Sequence, residues 1–136
     1  MADVLVDSNV WIDLFVQHPR WYAWTPSAMA AVFAAGDQPA LNQIIYTELC
    51  AGYSTRSELD RVLERIGHVR LNLPWECAAL TSAAYQAYRN GGSSKTSPMP
   101  DFYIGAHAQV SGLRLLTRDA GRYRAYFPQV ELICPE

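Results

Sequence analysis

Five short, mostly apolar runs recur along the chain, at residues 4–6, 41–45, 69–73, 113–117 and 130–134, with helix-like segments between them. Few folds accept that alternation. A run of three to five apolar residues is too short for a buried helix and suits a strand covered on both faces. Strands separated by helices are joined by crossovers, which makes neighbouring strands parallel. The pattern therefore predicts an α/β fold: a three-layer α/β/α arrangement around a mainly parallel sheet of about five strands. With no internal repeat and no boundary in composition, the 136 residues read as one domain, 1–136.

The helices are expected at 9–15, 27–35, 46–51, 57–66, 75–89, 101–111 and 122–127. Thr25 and Pro26 read as an N-cap and first-turn pair for the second of these, which Gly36 closes. Leu59, Val62, Leu63 and Ile66 share one side of the fourth, and Gly67 stops it. Residues 90–100, "NGGSSKTSPMP", read as a flexible linker by composition.

Charge narrows the function. The net charge is −2, with a single lysine, Lys95, against ten arginines, so a strongly basic nucleic-acid footprint is absent. No stretch is apolar and long enough to span a membrane, and the N-terminus lacks a signal-peptide pattern, so a cytoplasmic protein is expected. Cys50, Cys77 and Cys134 are odd in number and widely spaced. They suggest neither a disulfide framework nor a zinc site and read as buried thiols.

Acids concentrate where such a fold binds ligands, outside the carboxyl ends of the strands. Asp7 ends the first strand, Glu48 lies three residues past the second, and Asp119 directly follows the fourth. Asp101 reaches the same edge by geometry. The preceding helix carries the chain about 22 Å away from that edge at roughly 1.5 Å per residue. The linker can climb back, since its residues reach about 36 Å when extended. Four carboxylates in one cleft repel, at about 4 kcal/mol for a pair 4 Å apart at an effective dielectric near 20. Protonation or a divalent cation relieves this, and an oxygen-only site suits Mg²⁺ or Mn²⁺. Taken singly, each acid has an ordinary alternative. Asp7 could cap the following helix, Glu48 and Asp101 could favour helix N-termini, and Asp119 could sit in a turn. Asp13 and the remaining acids read as solvated surface, Asp13 lying close to the cluster.

At this point "VLVDSNVWIDLF", "IIYTELCAGY", "PDFYIGAHA" and "LLTRDAGRY" resemble, in order, the motifs of PIN-domain ribonucleases. The short chain most resembles VapC-type toxins of bacterial toxin–antitoxin modules, and the likeness runs from the first strand to the last. The resemblance implies a Mg²⁺- or Mn²⁺-dependent endoribonuclease cutting single-stranded or loop RNA, whether tRNA, rRNA or mRNA. It implies neutralisation by a cognate VapB-type antitoxin, and homodimerisation. Asp7, Glu48, Asp101 and Asp119 match the family's acidic quartet as catalytic and metal-binding residues, and Asn9 and Thr117 match flanking polar positions. Competing readings are an RNA-binding module of the same fold without catalysis, a DNA-directed nuclease, and a signalling receiver domain. The last would need a lysine after a late strand, and Lys95 lies in the linker.

Arg118, Arg122 and Arg124, beside Asp119, are candidate RNA contacts, as are Arg61 and Arg65 on one helix face. The aromatics of "RWYAW" read first as buried or as interface residues, and only then as a stacking surface. His18, His68 and His107 have no metal-ligand spacing. "GGSSKTS" is no phosphate loop, because no glycine directly precedes Lys95 and no strand precedes the run.

Overall fold

The structure is a computed structural model and describes residues 1–91 and 99–135. Five strands form one sheet in the order β3-β2-β1-β4-β5, every neighbouring pair parallel. They are β1 (Asp3–Val6), β2 (Gln38–Leu41), β3 (Val69–Arg70), β4 (Arg114–Leu116) and β5 (Leu132–Ile133). The helices are α1 (Ser8–Val16), α2 (Trp24–Ala34), α3 (Gln43–Cys50), α4 (Arg56–Ile66), α5 (Cys77–Asn90), α6 (Met99–Ser111) and α7 (Gly121–Tyr126). The chain steps from β1 to β2 to β3, then returns past β1 to β4 and β5. Parallel crossovers take the right hand almost always, so winding outward from β1 in both directions puts helices on both faces, the expected three layers. The strand order reverses between β1 and β4, and that switch point opens a crevice at their carboxyl ends.

β1 is the central strand, and Val4, Leu5 and Val6 are fully buried. Leu5 pairs with Ala40 on one side and Leu115 on the other. Around them Trp11, Ile45, Leu49, Leu59, Phe102 and Leu116 complete the core.

Three expectations are corrected. The second strand occupies Gln38–Leu41, not 41–45, and the helix after it begins at Gln43 rather than at residue 46. Asn42 sets that boundary: its Oδ1 accepts from the Ile45 N–H at 2.9 Å and caps α3. Pro39 is tolerated because β3 joins β2 only from Ala40 onward. Thr25 does not cap α2, which starts at Trp24. Its hydroxyl donates instead to Asp13 at 3.3 Å. Of the three cysteines, all free, Cys77 is buried but Cys50 is exposed and Cys134 half-buried. The remaining helices fall within a few residues of expectation, although β3 is only two residues long. Most of the 90–100 linker and the "GGSSKTS" run fall at 92–98, outside the described residues. Among the described residues no helix is long and apolar enough to cross a membrane.

Candidate active site

Asp7 stands at the switch point. Its N–H still donates to the Leu116 carbonyl at 2.9 Å, which carries the β1–β4 ladder one residue past the strand. There the chain turns into α1, and Asp7 is the N-cap, Oδ1 accepting from the Ser8 N–H at 2.8 Å. Capping uses one oxygen. The other, Oδ2, accepts from the Thr117 hydroxyl at 2.9 Å, the Tyr123 hydroxyl at 2.9 Å and Asn9 Nδ2 at 3.3 Å. Asp7 is 3% exposed. Burial pushes its carboxyl above the usual range, while the Thr117 and Tyr123 hydroxyls pull it down.

The other acids come from separate elements. Glu48 lies in the second turn of α3, not the first turn expected, and its Oε1 accepts from Ser8 Oγ at 2.9 Å. Ser8 therefore ties the Asp7 and Glu48 carboxylates together, one through its N–H and one through its hydroxyl. Partial burial raises the Glu48 carboxyl, with a further push from Asp7. Asp101 is the third residue of α6. Gly112, at φ +65°, ends α6 and turns the chain into β4, which leaves the start of α6 at the carboxyl edge, where the reach argument puts it. Burial and the charges of Asp7, Glu48 and Asp119 raise Asp101 to about 6, although the Arg122 guanidinium pairs with it. Asp119 is exposed in the loop after β4, and its N–H donates to Thr117 Oγ1 at 3.1 Å. The four acids thus share one crevice closely enough to feel each other's charge.

Asn9 and Thr117 serve this cluster. Asn9 Nδ2 lies 3.4 Å from Thr117 Oγ1, and its Oδ1 accepts from the Arg118 N–H at 3.4 Å. Of the candidate RNA contacts, the three beside Asp119 have internal partners. Arg118 Nε donates to Asp13 at 2.6 Å, Arg122 pairs with Asp101, and Arg124 reaches Cys134 Sγ at 3.2 Å. Asp13 is not solvated surface: it is 2% exposed, and its Oδ1 has no hydrogen-bond partner. His107 is buried and bonds Asn42 Nδ2 at 2.8 Å. In "RWYAW", Trp21 and Trp24 are half-buried, and Tyr22 is exposed.

Sequence reading passes over Tyr123 and Ser8, and takes Asp13 for surface although close to the cluster. Two of these carry a signal. Asp13 follows Asn9 by four residues, so both share one face of α1. Tyr123 follows Asp119 by four in a segment expected to be helical. Ser8 gives none, since its reach to Glu48 depends on how α3 packs against α1.

The donor set bears on whether a cation fits. Among the described residues no three His, Cys, Asp or Glu side chains stand close enough to form a ready-made metal cage. Yet the donors are all carboxylate oxygens, and Arg122 on Asp101 is the cation seen pairing with any of the four acids among the described residues. Mg²⁺ keeps several waters and needs few direct protein ligands. An incomplete, acidic, oxygen-only crevice is of the kind that suits it.

An all-parallel α/β domain with acids at its switch point is thus the class the fold and crevice define. A family model described as PIN domain matches residues 4–128. The chain belongs to the PIN domain family, a family of nucleases that generally use divalent metals. Solved structures share the fold. A toxin–antitoxin complex from Klebsiella pneumoniae is similar at 25% identity, covering 98% of each chain with a TM-score of 0.67. VapBC-1 from nontypeable Haemophilus influenzae is similar at 16% identity, over 98% of each chain, with a TM-score of 0.73. VapBC2 from Rickettsia felis, bound to a DNA fragment from its promoter, is similar at 18% identity, over 98% of each chain, with a TM-score of 0.71. Among curated proteins, no sequence matches the chain.

Proposed function

We propose that this protein is a metal-dependent endoribonuclease toxin of the VapC type, held in check by a cognate antitoxin. The observation that carries the reading is the buried Asp7 carboxylate at the switch point. It is held by four donors and lies within electrostatic reach of Glu48, Asp101 and Asp119. Membership of the PIN domain family supports nuclease chemistry, and the likeness to VapBC and toxin–antitoxin complexes supports an antitoxin partner.

Asp7 and Asp101 would hold the ion, with Glu48 and Asp119 joining directly or through water. A bound Mg²⁺ or Mn²⁺ supplies Lewis-acid polarisation of the scissile phosphate and a water of lowered pKa. The chain's own residues do the rest. Thr117, Tyr123 and Asn9 fix Asp7 Oδ2 in one orientation, so that it does not reorganise when charge develops nearby. Ser8 does the same for Glu48. Arg122 screens Asp101 in the free protein and stands beside the cleft, where it can turn to a phosphate oxygen. Tyr123 keeps its proton, because burial and the neighbouring carboxylates drive its pKa well above the ordinary value.

Cleavage of total cellular RNA with Mg²⁺ or Mn²⁺ tests the reading. Activity should vanish with a chelator and in Asp7→Asn, which keeps the shape of Asp7 and removes its charge. Wild-type rates in that variant would sink it, and mapping the cleaved ends would name the RNA.

A further inference from the structure

Arg118 and Arg124 are engaged inside the protein and Arg122 pairs with Asp101, so a polyanion on this face calls for further cations. The same sheet edge carries a second cavity of about 340 Å³, at the carboxyl ends of β2 and β3. Its walls include Tyr46 and Thr47 from α3, Arg56 from α4, and Arg70 and Asn72 from β3 and the chain after it. Arg70 is fixed in place. Its guanidinium lies 4.7 Å from the centre of the Tyr46 ring and donates to Asp60 at 2.7 Å and His68 at 3.2 Å. The Tyr46 hydroxyl donates to the same Asp60 carboxylate at 2.6 Å, and Arg56 stands 3.6 Å from it. Two arginines thus share one carboxylate, and the cavity keeps a surplus positive charge. Both stay open to solvent, their side chains 75% and 42% exposed.

This cavity opens at the same sheet edge as the acidic crevice. Thr47 lines it, and the next residue, Glu48, belongs to the acids. The ends of β1 and β3 are two strand spacings apart, about 10 Å. A stacked guanidinium–aromatic pair with surplus positive charge is the chemistry that binds single-stranded nucleic acid: a π-face for a base and cations for the phosphate.

We propose that the Tyr46–Arg56–Arg70 cavity is a nucleotide subsite that takes a base and phosphate of single-stranded RNA next to the bond cut at Asp7. The inference rests on the nuclease reading for its substrate. It explains how an acidic cleft on a chain of net charge −2 holds a polyanion.

The test uses the intact protein. Binding of a fluorescein-labelled single-stranded RNA of mixed sequence is followed by anisotropy with chelator present, and cleavage of the same RNA with Mg²⁺. Two variants are compared, Arg56→Ala/Arg70→Ala and Thr47→Glu. The second adds a negative charge at an exposed helix position and leaves the core untouched. Both should weaken binding at least about fivefold. The arginine variant should also flatten the log–log salt dependence by about 0.7 for each phosphate that is no longer neutralised. In cleavage, KM should rise while kcat holds. Unchanged binding and KM in both variants would overturn the subsite while leaving the nuclease reading intact. Arginine-dependent binding without wild-type cleavage would sustain the subsite and sink the nuclease. Loss of a dimer in sedimentation, with RNA binding unaltered, would make the cavity a contact between copies and overturn the proposal.

Discussion

The Tyr123 hydroxyl donates to Asp7 Oδ2 at 2.9 Å, across 116 residues of chain. It joins α7 to the end of β1, and both groups are almost wholly buried. A hydrogen bond to a buried charged group is worth about 1.5–3 kcal/mol. Tyr123→Phe keeps the ring and deletes only the donor. The Asp7 carboxyl should then rise further, and the acid limb of the pH–rate profile should move to higher pH. Cleavage at neutral pH should fall about tenfold, as measured by initial rates. An unchanged profile would show that Thr117 and Asn9 suffice to hold Asp7.

Asp101 makes stability and metal binding depend on pH. Its folded pKa is about 6, against an ordinary value of 3.8, so the folded state holds the proton more tightly. The stability this contributes is full below about pH 3.8 and is lost as the pH rises through about 6. Asp101→Asn should therefore raise the thermal midpoint, relative to the wild type, more at about pH 8 than at about pH 4. Calorimetric Mg²⁺ titration of the wild type should show affinity falling as the pH drops below about 6, because protons and metal compete for the same oxygen.

Arg118 is a candidate RNA contact by sequence, yet it neutralises Asp13, whose side chain is 0% exposed. Removing the cation strands a buried charge whose Oδ1 already lacks a partner. Arg118→Met should destabilise the fold by about 3 kcal/mol in urea unfolding. Arg122→Met should cost far less, since both members of its pair are partly exposed. Equal midpoints for the two variants would contradict this assignment.

Gly105, in the middle of α6, lies against Phe127, and a Cβ there would overlap the ring. Gly105→Ala gains helix propensity but forces Phe127 aside, and overpacking of this kind costs about 1–3 kcal/mol. The thermal midpoint should drop. A rise would mean the ring finds another place.

The acidic quartet is legible because it depends on coarse rules. Alternating strands and helices fix which ends of the strands share an edge, and acids at those ends must meet. The error at β2 comes from finer chemistry. "LNQII" reads as one strand, and only the side chain of Asn42, turned back to cap the Ile45 N–H, splits it into strand and helix. Asp13 escapes for a different reason. A helix-borne carboxylate looks solvated until a partner from a distant loop is known, and Arg118 lies 105 residues away. Polar groups that find long-range partners are the part that pattern and spacing do not carry.

The strand order has a consequence for synthesis. β1 leaves the ribosome first, but its neighbour β4 and the loop bearing Asp119 come after everything that builds the other half of the sheet. Until β4 docks, Thr117 and Tyr123 cannot hold Asp7, and the crevice has one wall. A nascent chain of this protein carries its first acid early and gains a complete crevice only once β4 and the loop after it have been made.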